Sequence, residues 1–216
     1  MNHIVDLDKS QIDGFVNTYA IKEGINSFGP TWFRCQYDDR SASINYSLIR
    51  YFKPKVVVEF GSCTARCTHD ILLALQRNEE PFIFKSYEQN DNLRAEAQEN
   101  MDKYFGDDYL KIGGDIVNAA DVPNDIDYLF VDNSHDLETT KWLFDVLLKK
   151  CIDGCVVQIH DVNLFGDFQI SKEKGLLPET DYMVELHKQG KLPLTKMYWT
   201  WEEGEKMESS WWRYHK

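Results

Sequence analysis

The sequence predicts an α/β fold, a doubly wound and mostly parallel sheet within one domain, and three observations predict it. Apolar runs of strand length alternate with amphipathic stretches of helix length from Lys55 to Ile159. The runs are rich in β-branched residues and continuously apolar, as strands buried on both faces are. Beyond them the chain becomes aromatic and strand-like around a charged turn, which reads as an antiparallel ending.

Taken in order, Lys55–Phe60 (KVVVEF) predicts a first strand and Thr64–Arg77 a helix with Ile71, Leu72 and Leu75 inward. Phe82–Tyr87 predicts a second strand, Asn90–Tyr104 a helix, and Tyr109–Ile112 a short third strand. Asp127–Val131 predicts a fourth, then a helix over Leu137–Lys150 with Trp142, Leu143, Val146 and Leu147 inward. Ile152, Asp153 and Gly154 supply the helix stop, and Cys155–Ile159 is a fifth buried strand. Right-handed crossovers between such strands give a parallel sheet covered on both faces. Leu194–Trp201 and Ser209–His215, joined by Glu202–Glu208, predict a C-terminal hairpin and bring the count to seven strands. Within the one domain, 1–50 reads as a helical lead-in and cap, with helices over Gln11–Glu23 and Ala42–Tyr51. Residues 55–163 read as the core, and 164–216 as an acceptor-side segment with the hairpin.

The net charge of -12 argues against a nucleic-acid substrate, because phosphate binding needs a Lys/Arg surface. No apolar run approaches the roughly 20 residues that span a bilayer, and the N-terminus has no signal-peptide core. Cys35, Cys63, Cys67, Cys151 and Cys155 lack the spacing of zinc knuckles and read as reduced thiols of a cytoplasmic protein.

Open α/β sheets bind ligands beyond the carboxyl ends of their strands, and the informative residues stand there. Strand one runs into Glu59, Phe60, Gly61, Ser62, Cys63, Thr64 and Ala65, where a glycine admits a ligand close to the backbone and the next helix offers free N–H groups. Glu88 and Gln89 follow strand two, 29 residues after Glu59, where a carboxylate accepts both ribose hydroxyls of a nucleoside. Gly113, Gly114, Asp115 and Ile116 follow strand three. Asp132 closes strand four, and His160 and Asp161 close strand five, so two carboxylates and an imidazole converge as a set suited to a divalent metal. His135 lies one turn beyond Asp132, placed to take a hydroxyl proton. His3, His69, His187 and His215 have no motif around them and read as surface residues.

These segments resemble the class I S-adenosylmethionine-dependent methyltransferases. The stretches DYLFVDNSHD and GCVVQIHDV are similar to the family of sugar and small-molecule O-methyltransferases. Ala65 departs from that pattern, standing where the family carries a second glycine. The resemblance implies a Rossmann-like sheet and S-adenosylmethionine as cofactor, held by Glu59, Gly61, Ser62, Glu88, Gln89, Asp115, Ile116 and Asp132. It implies Asp115 beside the adenine amine and His135 as the base, with Asp132 also in the catalytic site. Mg²⁺ or another divalent ion would lie on Asp132, His160 and Asp161, and the methyl acceptor would be a hydroxyl of a small molecule or glycan. Two other readings stand beside it: a nucleotide-dependent oxidoreductase, against which the missing GxGxxG weighs, and a binding module that has lost activity.

Overall fold

The computed structural model describes residues 13–25, 39–107, 109–134, 136–160, 182, 185–186, 188–189, 198–199 and 209–214. Strand β1 (Val56–Phe60), with four of its five residues buried, lies between β2 (Ile83–Tyr87) and β3 (Ile126–Val131), parallel to both. Strand β4 (Cys151–His160) continues the parallel set beyond β3. The full order is β2-β1-β3-β4-β6-β5, with β5 at Tyr198–Trp199 and β6 at Ser209–Tyr214. Strand order reverses between β1 and β3, which opens a crevice at their carboxyl ends.

Both faces are covered. On one, Val57, Tyr128, Phe130 and Val156 pack with helix α1 (Asp39–Phe52), α2 (Arg66–Arg77) and α3 (Asp91–Phe105). On the other, Val58, Phe60, Leu129, Val131, Val157 and Ile159 pack with Leu143 of α4 (Leu137–Asp145) and with Leu147 and Leu148 of a 3₁₀ turn. Local chemistry fixes the helix ends. The Asn90 side chain accepts the Asn92 and Leu93 amides to start α3, and Gly106, at φ +97°, ends it. Asp136 accepts the Thr139 amide to start α4.

The sheet corrects the expected layout in several places. It has six strands among the described residues, not seven. The third strand expected at Tyr109–Ile112 is reduced to one bridge, Tyr87 to Gly113. Tyr109 is half exposed there, and the two glycines that follow give a strand no side chains to pack. The hairpin expected over Leu194–Trp201 and Ser209–His215 is likewise not what forms. Among the described residues only Tyr198 and Trp199 pair along β6, β6 itself lies antiparallel on β4, and 194–197 and 200–208 are outside the described residues.

The glycine stop is also displaced. Gly154, at φ +81°, sits inside β4 near a register irregularity, and the helix yields to a 3₁₀ turn at Leu147–Lys150 instead. Val146 is exposed rather than inward.

The second half of the lead-in packs into the core. Nearly every residue from Ala42 to Ile49 is buried, so α1 is a core helix. Before it, Val16–Ile21 is π-helical and is tied down through Glu23. That carboxylate pairs with Arg50 at 2.9 Å and Arg77 at 3.2 Å and accepts the Tyr46 hydroxyl. No described helix is long and apolar enough to cross a membrane.

Candidate active site

The turn after β1 has an unusual backbone. Gly61, Cys63 and Ala65 all have positive φ, at +98°, +50° and +72°. The Gly61 and Ser62 amides both donate to the Tyr87 carbonyl, at 2.9 and 3.1 Å, binding the turn to the end of β2. A Cβ on Gly61 would stand 1.8 Å from the Asp132 carbonyl oxygen, so glycine is required there by the neighbouring strand end. Ala65 holds the left-handed conformation at the start of α2 that a glycine would hold without strain.

Glu59, wholly buried, accepts Thr68 Oγ1 at 2.6 Å and Ser86 Oγ at 2.5 Å. Burial pushes its carboxyl up to about 7, against the pull of the Ser86, Thr68 and Cys67 donors. Glu59 Oε1, Ser62 Oγ and Thr64 Oγ1 are buried without a hydrogen-bond partner. Three orphaned polar atoms around one turn fit a polar ligand that supplies their partners.

Glu88 is nearly buried, with Oε2 accepting the Cys63 amide at 2.8 Å and Oε1 the Asn90 amide at 2.9 Å. Its carboxylate therefore joins the β1 turn to the start of α3, and each oxygen keeps a further lone pair. Gln89 is exposed beside it. Asp115 caps a 3₁₀ turn, accepting the Val117 amide at 3.0 Å and Asn118 Nδ2 at 2.8 Å. Ile116 is buried in the core against Phe60 and Tyr87.

Asp132 and His160 come together at the ends of β3 and β4, Nδ1 to Oδ2 at 3.5 Å, the carboxylate part-exposed and the imidazole buried. His135 and Asp161, expected to complete this group, lie outside the described residues. Among the described residues no three His, Cys, Asp or Glu side chains gather as a metal site. None of the four described cysteines forms a disulfide.

Residues 58–162 match a family model described as a methyltransferase domain. That segment begins in β1, contains the turn, Glu88, Asp115 and Asp132, and ends just past β4. By this match the segment, just under half of the chain, is similar to a methyltransferase domain. The chemistry of the class is methyl transfer from S-adenosylmethionine, as the resemblance in the sequence implied. No curated protein matches the chain in sequence.

Solved structures share the domain's fold at low identity. An O-methyltransferase from Bacillus cereus, in complex with SAH, is 12% identical, covers 97% of this chain and 93% of its own, and has a TM-score of 0.63. An SAH-bound methyltransferase from Podospora anserina is 16% identical, with 99% and 100% covered and a TM-score of 0.60. An O-methyltransferase of tomaymycin synthesis from Streptomyces achromogenes, in complex with SAM, is 12% identical, with 99% and 93% covered and a TM-score of 0.62.

Two features of the matched segment and the helix before it gave little sign in the sequence. His69 is not on the surface: it is buried against Tyr104 and Phe105, with Nδ1 2.9 Å from Asp70. Its neighbours come from a helix 35 residues on, so no local pattern announces the burial. A buried polar chain also crosses the α1 face through Asn45, Tyr128 and Gln158. The only local sign of it is a polar residue at a core position of an apolar run.

Proposed function

We propose that this methyltransferase acts on a hydroxyl group of a small molecule or glycan, with S-adenosylmethionine lying across the crevice between β1 and β3. The observation that supports this best is the hydrogen bond from the Cys63 amide to Glu88, together with the close approach of Gly61 to Asp132. These contacts make one rigid unit of the three chain segments that a nucleoside cofactor would touch.

In this reading Glu59, Gly61 and Ser62 face the methionine end. Glu88, with Gln89 beside it, takes the ribose, Asp115 and Ile116 border the adenine, and Asp132 lies near the sulfonium. The cofactor supplies an electrophilic methyl carbon, so the protein's task is alignment and the removal of one proton. As the new carbon–oxygen bond forms and the carbon–sulfur bond breaks, the acceptor's proton passes to a base, His135 in this reading. Asp132 and His160 stand side by side at the mouth. A divalent ion held there with Asp161 is the finer proposal. Loss of turnover in chelator and recovery with Mg²⁺ decide for it; unchanged turnover decides against it. The acidity of the chain favours a neutral or cationic small acceptor over nucleic acid.

Thermal denaturation with S-adenosylmethionine, its demethylated product and NAD tests the class. A ligand at a hundred times its Kd stabilises by about 2.7 kcal/mol. Both sulfur ligands should raise the melting temperature and NAD should not. Stabilisation by NAD alone would overturn the proposal. Glu88→Gln should weaken cofactor binding by about 1.5–3 kcal/mol, the range for hydrogen bonds to a charged group.

A further inference from the structure

The polar chain beneath the sheet leads to the cofactor turn. Tyr128, wholly buried in β3, places its hydroxyl 2.6 Å from Asn45 Oδ1 and 2.9 Å from Gln158 Oε1. Asn45 Nδ2 donates to Cys67 Sγ at 3.2 Å, and the Cys67 thiol donates to Glu59. Asn45, Tyr128, Gln158 and Glu59 have no exposed surface, and Cys67 has almost none.

A phenol has one proton and cannot serve two acceptors. Gln158 Nε2, meanwhile, is buried without a partner. Turning the Gln158 amide end for end gives its NH₂ the phenol oxygen as acceptor and leaves the phenol proton for Asn45. With that assignment every step has a donor and an acceptor: Gln158 to Tyr128, Tyr128 to Asn45, Asn45 to Cys67, Cys67 to Glu59. All the hydrogens point towards the carboxylate. Chained hydrogen bonds polarise one another, so the far members strengthen the last bond to Glu59 and favour its charged form.

We infer that Asn45 and Tyr128 are positioning residues for Glu59, holding it through this chain in the orientation and charge that receive the cationic methionine end of the cofactor. The inference rests on the cofactor reading above and deepens it. Asn45 belongs to α1, which lies outside the matched segment 58–162, so this helix is part of the cofactor site's support as well as part of the core. A phenylalanine would fill the Tyr128 site equally well and demand no partner, so packing alone does not require the hydroxyl.

Calorimetry of S-adenosylmethionine with the wild type, Tyr128→Phe, Glu59→Gln and the double variant tests this as a double-mutant cycle. Tyr128→Phe should raise the cofactor Kd and KM about threefold to tenfold while kcat stays within about twofold. In the Glu59→Gln background the same change should move Kd by less than about twofold, because the group it acts through is gone. Cys67→Ala, which cuts the last link, should reproduce the Tyr128→Phe effect. Additive effects in the cycle, or an unchanged Kd in both Tyr128→Phe and Cys67→Ala, would overturn the inference. A wild type that binds no S-adenosylmethionine is a distinct result, which brings down the cofactor reading and this inference with it.

Discussion

Gly61→Ala is the most discriminating single change. The added methyl would sit 1.8 Å from the Asp132 carbonyl oxygen, 2.6 Å from the Asp132 carbonyl carbon and 3.3 Å from the Asn133 amide nitrogen. None of these atoms belongs to a flexible side chain. The Asp132 amide is itself bonded to the Phe60 carbonyl at 2.8 Å, so the neighbouring segment cannot withdraw without breaking the β1–β3 pairing. The residue must also keep φ near +98°, which costs an L-residue about 1–2 kcal/mol. Overpacking adds about 1–3 kcal/mol, so a loss of about 2–5 kcal/mol is expected. That is a large part of the 5–15 kcal/mol typical of a domain. Urea unfolding measures it, provided the slope with denaturant is unchanged. A variant within about 1 kcal/mol of the wild type would show that the two strand ends are not locked together, and the site geometry built on that lock would fall with it.

Ala65→Gly is the counterpart. It relieves left-handed strain of about 1–2 kcal/mol, but loses a buried methyl worth about 0.8 kcal/mol and adds unfolded-chain entropy of about 0.4–1 kcal/mol. The net should lie within about 1 kcal/mol of zero in a melt, and a loss beyond 2 kcal/mol would refute the strain at this position. Glu59→Gln should stabilise the cofactor-free protein at pH 8. A carboxyl raised to about 7 costs nothing below its ordinary 4.5, a growing amount between, and its full cost above 7. The gain has a ceiling of about 3 kcal/mol and should vanish at pH 4; equal stability of the two proteins at pH 8 would refute it. At Asp136 burial alone would raise the carboxyl, yet bonds from Ser134 and the Thr139 amide and hydroxyl hold it at about 2. Its cap is complete above pH 3.8 and lost as pH falls through about 2, so Asp136→Ala should cost about 1 kcal/mol at pH 7 and nothing at pH 1.5 in unfolding titrations.

Much of the fold was legible because its strands are buried on both sides, which leaves a long apolar signature. VVVEF, IFKSY and IDYLFV each lie within a residue or two of their expected bounds. What failed were elements whose fate depends on distant partners. Tyr109–Ile112 has strand-like residues, but the bridge to β2 falls on Gly113, and Leu110 and Ile112 bond to Gln98 of α3 instead. Gly154 looks like a helix stop and is instead a kink within a strand, a distinction made by the pairing of β4 with β3.

The site divides in the same way. Positions at strand ends could be read from spacing, and Glu59, Glu88 and Asp132 do stand at or just past the ends of β1, β2 and β3. Their existing bonds could not be read that way. That Glu88 is already shared by two amides, and that Asp115 serves as a cap, follow from turns whose geometry local residue types do not fix. Asn45 gave no signal at all, since one polar residue on an otherwise buried helix face differs little from noise.

The single bridge that stands in for a third strand leaves β2 as the outer rib of the sheet, paired beyond itself only at Tyr87 among the described residues. A parallel edge with open amides invites a second chain to add itself there. Half-exposed Ile83 adds to the invitation. Lys85 answers it from the middle of the strand, its ammonium anchored to Asp121 at 2.8 Å, setting a charge where an incoming backbone would have to shed water. A shortened sheet thus leaves the protection of its outer strand to one lysine, remote from the candidate site.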